Sequence, residues 1–272
     1  MKTVVITGSA KGFGYAMLEL FYKNNFNVVI CDVVESDIEI AKEKLEKLNL
    51  KGDILTYNVD VTKEYEISNM ISDILSKKKT IDIWINNAGV NQPNKYIWEL
   101  EGNTINRLID IDLKGTVLGT KNIMEVMIKQ GYGAIYNVEG HGSNDAKIKG
   151  LSLYGTAKRG LTYFTESLAF EVEDYNKQNN TNILVGKITP GIMITNFITT
   201  SLGNGDKIAL DDKTKNIYNI LGDYPETIAE FIVDKIINNK KNNVKFAWLT
   251  NKRAMTKFIK ATFGKKNNYF DE

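Results

Sequence analysis

The chain has 272 residues, with 35 Lys and Arg against 33 Asp and Glu and a formal net charge of +2, a balance that argues against a dedicated nucleic-acid or other polyanionic partner. Hydrophobic residues make up 43%, enough for a large buried core, and a doubly wound sheet can use residues 1–272 as one domain. The one cysteine, Cys31, excludes an intrachain disulfide.

In chain order, the first element is the β-branched run Val4-Val5-Ile6, which reads as a buried strand. It begins too close to Met1 for a signal peptide, and no later apolar run is long enough to span a bilayer, so a cytoplasmic location is expected. The glycine-spaced turn Thr7-Gly8-Ser9-Ala10-Lys11-Gly12-Phe13-Gly14 follows at once, ahead of the helical spacing Ala16, Leu18, Leu20 and Phe21. Such a strand-turn-helix can hold a pyrophosphate, because glycine permits unusual backbone angles and the N–H groups and dipole of a helix start favour an anion. The spacing is G-x-x-x-G-x-G rather than the common G-x-G-x-x-G, and a tight structural turn is the alternative reading.

A second strand over residues 27–31 ends in Asp32, which can accept hydrogen bonds from a ribose 2′-hydroxyl and would repel a 2′-phosphate. NAD is therefore the expected cofactor. Lys11 pulls the other way, since a cation in the turn could pair with the extra phosphate of NADP. Further apolar strands recur near Leu55, Ile83, Ile135, Leu184 and Phe246, separated by helical stretches. The alternation predicts an α/β fold, a parallel sheet covered by helices on both faces. Asn- and Lys-rich clusters at 176–182 and 238–243 read as solvated loops or helix ends.

Tyr154 and Lys158 stand four apart. The apolar spacing of Leu161, Phe164, Leu168 and Val172 predicts a helix over 154–176, which stacks the two on one face. An adjacent ammonium favours the phenolate and lowers the pKa of a tyrosine, which could then serve as general acid or base. Chance pairs at this spacing are common, so the pair gains meaning from the glycine turn.

With these residues in view, the chain resembles the short-chain dehydrogenase/reductase family. T-G-x-x-x-G-x-G lies at 7–14, N-N-A-G at Asn86-Asn87-Ala88-Gly89, Y-x-x-x-K at 154–158 and P-G-x-x-x-T from Pro190-Gly191 to Thr195. The resemblance implies a Rossmann-like, three-layer sandwich with strand order 3-2-1-4-5-6-7. It implies Tyr154 as catalytic acid/base, Lys158 on the nicotinamide ribose, Thr195 on the carboxamide, and Asp60 and Val61 beside the adenine. It also implies a homodimer or homotetramer paired through helices at 104–130 and 154–176, whose Leu118, Ile123, Met127, Leu161 and Phe164 exceed what one side of a sheet is expected to bury.

Two positions depart from the family pattern. Asp112 stands where the family places an asparagine that holds a helix kink and extends the proton relay. After the strand 133–138, where a serine pair is usual, the chain reads Glu139-Gly140-His141-Gly142-Ser143. Ser143 is then the nearest hydroxyl to polarise the substrate carbonyl, with Ser152 the weaker substitute. His141, the only histidine, is expected to line the pocket or cap the loop, with no metal site. This loop and Leu153-Tyr154-Gly155-Thr156-Ala157-Lys158 are similar to chlorophyll(ide) b reductases and bacterial relatives.

Residues 196–224 follow the last motif and are the expected substrate lid. The basic amphipathic extension 252–272 sets Met255, Phe258, Ile259 and Phe263 against Lys252, Arg253, Lys257 and Lys260. Packing over the active site or a neighbouring subunit is its expected role, and contact with an anionic membrane surface is the alternative. The expected activity is nicotinamide-dependent hydride transfer on a hydrophobic carbonyl/alcohol pair. A non-catalytic dinucleotide-binding regulator is the competing class.

Overall fold

The computed structural model describes residues 1–195, 210–264 and 266–270. Residues 196–209, the first part of the expected lid, and Lys265, Asp271 and Glu272 of the C-terminal extension lie outside the described residues. The first half of the chain runs β1 (Thr3–Thr7), α1 (Gly12–Lys23), β2 (Asn27–Asp32), α2 (Glu35–Glu46), β3 (Ile54–Asn58), α3 (Glu64–Lys78) and β4 (Ile83–Asn86). There follow α4 (Gly102–Ile109), a π-helical turn (Asp110–Gly115), α5 (Thr116–Gln130), β5 (Tyr132–Val138) and α6 (Ser152–Asn179). The chain continues through β6 (Asn182–Thr189), α7 (Asp212–Leu221), α8 (Pro225–Ile237), β7 (Val244–Ala247) and α9 (Asn251–Thr262).

The seven strands form one parallel sheet in the order β3-β2-β1-β4-β5-β6-β7, as the sequence resemblance implies. Period-two alternation sends Val4, Ile6, Val28, Ile30, Ile83 and Ile85 to one face, against Met17 and Phe21 of α1 and Ile228 and Ile232 of α8. The other face carries Val5, Val29, Trp84 and Ile135 against α3, α5 and α6, with Ile74, Ile123 and Val172 among the contacts. Because both faces are covered, the central strands are apolar throughout; all five residues of β1 are buried. The order reverses beside β1, so the carboxyl ends of β1 and β4 open a crevice where ligands of such sheets bind.

Three sequence expectations are refined. The stretch 104–130 is helical throughout, with a π turn at Asp110–Gly115 between its α-helical parts α4 and α5. The described part of the expected lid contains α7, N-capped by Asp211, whose carboxylate accepts the Thr214 N–H at 2.6 Å. Of the five residues offered as surplus for subunit pairing, Ile123, Met127 and Leu161 are buried within the chain itself. Among the described residues, no helix is long and apolar enough to cross a membrane.

The Asn-rich clusters do more than solvate helix ends. Asn176 at the end of α6 pairs with both backbone groups of Ile183 in β6, at 2.8 and 3.1 Å. Asn242 accepts from Val185 N–H and donates to the Ala169 carbonyl, at 2.9 and 2.7 Å. Each satisfies part-buried backbone groups of β6, and Asn242 also ties that strand to the Ala169 carbonyl of α6.

Candidate active site

The nucleotide side is assembled from backbone. Thr7 Oγ1 at the end of β1 accepts the N–H groups of Asn87 and Ala88, both at 3.0 Å, and the Asn87 amide donates to the carbonyls of Thr7 and Gly8, both at 2.9 Å. The glycine turn is thereby stapled to the segment after β4. Gly8 has φ of +63°, and a Cβ there would lie 2.9 Å from Ala88 Cα; one on Gly14 would overlap the Gly8 carbonyl. Gly12 (φ +59°) faces open space, with nothing within 4 Å of a Cβ, and no side chain caps the N-terminus of α1. An uncapped helix start behind an open glycine fits a pyrophosphate. Phe13 contributes only backbone there, because its ring belongs to the core.

Asp32 at the end of β2 accepts the N–H of Ala10 at 3.2 Å and of Val33 at 2.8 Å, which fixes a carboxylate beside the turn. Lys11 is turned away to Asp37, at 2.6 Å, with its side chain 67% exposed. Asp60 Oδ1 accepts both the N–H and the hydroxyl of Thr62, at 2.9 and 2.8 Å. A Cβ on Gly115 would come within 2.9 Å of Val61 Cγ2, so the loop after β3 packs against the π turn.

The chemical side is assembled from side chains. Tyr154 and Lys158 lie on the buried face of α6, with Lys158 Nζ 5.6 Å from the Tyr154 ring centre. The π turn carries Asp112 into the interior, where Oδ2 meets Lys158 Nζ at 3.0 Å and Oδ1 accepts the Val90 N–H at 2.8 Å. All three side chains are nearly or fully buried. Burial pushes the Tyr154 phenol up to about 12; Lys158 pulls it down, as the helical spacing predicts, but is outweighed, and Asp112 adds to the rise. The expected net lowering is therefore not found in this arrangement. Burial acts to discharge Lys158 as well, but the Asp112 carboxylate and Tyr154 more than offset it, so its pKa lies above the ordinary lysine value. Burial raises the Asp112 carboxyl against the pull of Lys158 and the Val90 N–H.

The loop after β5 arranges its groups differently from the sequence expectation. Gly140 faces the tyrosine, since a Cβ on it would overlap Tyr154 Oη. Ser143 Oγ is buried, accepting the Gly140 N–H at 3.3 Å and donating to the Lys158 carbonyl at 3.4 Å. His141 Nε2 is buried with no hydrogen-bond partner among the described residues, and burial lowers the imidazole pKa.

Two residues were given no role in the sequence reading. Glu139, fully buried, accepts the hydroxyls of Thr162 at 2.8 Å and Thr189 at 2.6 Å and pairs with Lys245 at 3.1 Å. A carboxylate directly after an apolar strand was the available signal. Gln92 accepts the Tyr154 N–H at 2.9 Å and donates to the Gly150 carbonyl at 2.5 Å, joining the two loops that flank the tyrosine; nothing in its sequence surroundings marks it. Pro190 is buried, Gly191 has φ of +78° and Thr195 is half-buried at the sheet's carboxyl edge. This loop is tied to Asp223 through the N–H of Ile194, at 3.0 Å, and the carbonyl of Ile192, at 3.1 Å.

The profile of the family described as short chain dehydrogenase matches residues 2–204. The chlorophyll(ide) b reductase NOL, chloroplastic, of Arabidopsis thaliana is 29% identical over 277 aligned residues, covering 99% of this chain and 76% of that protein. A crystal structure of a short chain dehydrogenase from Bacillus anthracis superposes with a TM-score of 0.77 at 28% identity, covering 93% of this chain and 96% of that one. The 3-ketoacyl-(acyl-carrier-protein) reductase from Brucella melitensis, complexed with NADH, shares the fold with a TM-score of 0.77 at 22% identity, covering 93% of this chain and 98% of that one.

Proposed function

The chain belongs to the short chain dehydrogenase family, oxidoreductases acting on carbonyl and alcohol groups, and on that premise we propose that it transfers hydride between NAD(H) and a hydrophobic carbonyl/secondary-alcohol pair, with Tyr154 as acid/base. The observation that carries this reading is the meeting of the two halves of the site at Gly89. A Cβ on that residue would sit 3.5 Å from Lys158 Nζ and 3.4 Å from Asp112 Oδ2, so the segment stapled to the glycine turn borders the buried Tyr154, Lys158 and Asp112 group.

In this reading the turn at Gly8, Gly12 and Gly14 and the start of α1 hold the pyrophosphate, and Asp32 accepts the ribose hydroxyls. Asp60 and Val61 flank the adenine. Asn87, Ala88, Gly89, Pro190, Gly191 and Thr195 shape the nicotinamide end. When bound, the nicotinamide supplies or accepts the hydride. The protein's own task is to fix the reactants and move one proton. A phenol pushed up to about 12 is protonated at neutral pH, so Tyr154 can donate to the substrate oxygen as the carbonyl is reduced. Lys158, kept charged by Asp112, then faces the developing tyrosinate and favours it. Holding the two reactants a few ångströms apart supplies much of the rate. The polarising role expected of Ser143 would need its hydroxyl to leave the Lys158 carbonyl.

Cofactor depletion with hydrophobic aldehydes and ketones tests the reading. Tyr154→Phe is expected to reduce turnover by at least about a thousandfold, within the usual scale of a lost proton donor, with cofactor affinity nearly unchanged. Lys158→Met is expected to damage both. Retention of most activity by the phenylalanine variant would remove Tyr154 from its role. Tight cofactor binding with no turnover of any carbonyl would favour the non-catalytic reading. A dimer or tetramer is part of the proposal, with Tyr163 (75% exposed) and Phe170 (76% exposed) as the apolar residues α6 leaves outward.

A further inference from the structure

Helix α9 is built inside out. Its inner side is cationic: the Arg253 guanidinium lies 3.6 Å from the Trp248 ring centre and donates to the Trp248 carbonyl at 2.6 Å. Lys257 pairs with Asp223 at 2.5 Å and donates to the carbonyls of Leu221 and Gly222, at 3.2 and 2.9 Å. Its large apolar residues point outward instead, with Met255 61%, Phe258 47%, Ile259 52% and Phe263 78% exposed. An ordinary surface helix does the reverse, and no residue of α9 is buried. Met255, Phe258 and Ile259 stand at i, i+3 and i+4 and so share one face of α9, with Phe263 at its C-cap continuing the exposed apolar surface. Contiguous exposed apolar surface of this kind marks an interaction site.

The charge of the extension is mainly of one sign. Residues 252–272 carry six Lys and Arg, with Asp271 and Glu272 as the last two residues. A groove of roughly 580 Å³ beside the helix is lined by Lys252, Arg253, Lys257 and Lys260 together with Phe231 and Trp248, a setting for an anionic headgroup. We propose that α9 and this groove dock the protein on an anionic lipid surface, the apolar stripe entering the acyl boundary while Lys252 and Lys260 engage the headgroups. A second copy of the chain fits less well, because a two-fold contact through this face would set cation against cation.

The dock is coupled to the site. Asp223, which anchors Lys257, also forms a bridge with Met193 and bonds to the backbone of Ile192 and Ile194, so α9 and the Pro190-to-Thr195 loop share one support. Lipid binding itself does not depend on the proposed redox chemistry.

Vesicle flotation of the full chain tests the inference. The protein is expected to float with vesicles containing about one-third phosphatidylglycerol and at least about tenfold less with pure phosphatidylcholine, with binding weakened by added salt. Phe258→Ser/Ile259→Ser should lose at least about tenfold of that binding with its thermal transition unchanged, while Lys252→Glu/Lys260→Glu should lose the anionic preference. Tyr154→Phe should bind as the parent does. Four results would overturn the proposal. The wild type fails to bind anionic vesicles at low salt, the serine variant binds undiminished, or light scattering shows that the serine variant dissociates an oligomer. Competition by millimolar inorganic phosphate that removes all vesicle binding would also overturn it, as a soluble-anion site.

Discussion

The two halves of the site are made of different material. Around the glycine turn the work is done by peptide groups: Gly8 and Gly14 leave room for neighbouring backbone, and Thr7 and Asn87 staple one strand end to the next segment. Around Tyr154 it is done by ionisable side chains whose behaviour depends on one another, with Asp112 on Lys158 and both beside the phenol. A backbone constraint is visible in spacing, because only glycine meets it. A charge balance is not, because the same residues give opposite pKa directions according to burial and partners.

The comparison breaks on the nucleotide side if a single charge there decides nothing. Asp32 is that charge, oriented by the N–H groups of Ala10 and Val33, while Lys11 is held by Asp37. NAD(H) is expected to bind more tightly than NADP(H) by about 1–3 kcal/mol, the scale of a charged hydrogen bond gained against a repulsion. Titration calorimetry with both cofactors measures it, and Asp32→Asn should narrow the gap. Equal or tighter NADP(H) binding would mean that Lys11 leaves Asp37 for the phosphate, and that side-chain charge is as context-dependent at this end as at the other.

Legibility follows the same division. The seven strands and the glycine turn were readable because parallel strands buried on both faces are apolar and turns need glycine, while the strand order came only through the family resemblance. The helical stacking of Tyr154 and Lys158 was readable from a spacing of four. Asp112 was visible as a departure, but its direct contact with Lys158 depends on the π turn, which has no residue signature here. Ser143 was chosen as the nearest hydroxyl along the chain, whereas the fold brings Gly140 to the tyrosine and turns Ser143 onto the Lys158 carbonyl. Gln92 works by joining loops far apart in sequence, and Asn176 and Asn242 by pairing with the backbone of β6, so composition alone made the latter two look like solvent-facing residues.

On the chemical side the sharper test is Asp112→Asn. Removing the carboxylate takes away one of the groups that raise Tyr154, and with Tyr154 and Glu139 still favouring the Lys158 ammonium against burial, the phenol should titrate at lower pH. Reduction requires the protonated phenol and oxidation the phenolate. The alkaline fall in reductive kcat/KM, and the rise in oxidative kcat/KM, should therefore both move toward neutrality, by about one pH unit on the scale of a nearby charge. Activity should persist near neutral pH, since the asparagine carbonyl can still accept the Val90 N–H. Tyrosinate absorbance of this variant, corrected by the matching Tyr154→Phe background, reads the same shift without a substrate. An unmoved profile would show that Asp112 does not act on the phenol, and an inactive but folded and cofactor-bound variant would show that the carboxylate itself is required.

The smallest expected effect belongs to Ser143→Ala. A donor aimed at the developing oxyanion is worth about a hundred- to a thousandfold in kcat, whereas Ser143 spends its hydroxyl on the Gly140 N–H and the Lys158 carbonyl. Loss of two long hydrogen bonds within a loop should cost about 0.5–1.5 kcal/mol of stability and, through a looser Gly140, less than about tenfold in kcat. Denaturant unfolding and steady-state kinetics on the same variant separate the two. A loss of a hundredfold or more without destabilisation would mean that the hydroxyl swings to the substrate during the reaction. In that case the loop after β5 performs the polarising role with a serine three residues beyond the glycine that faces Tyr154.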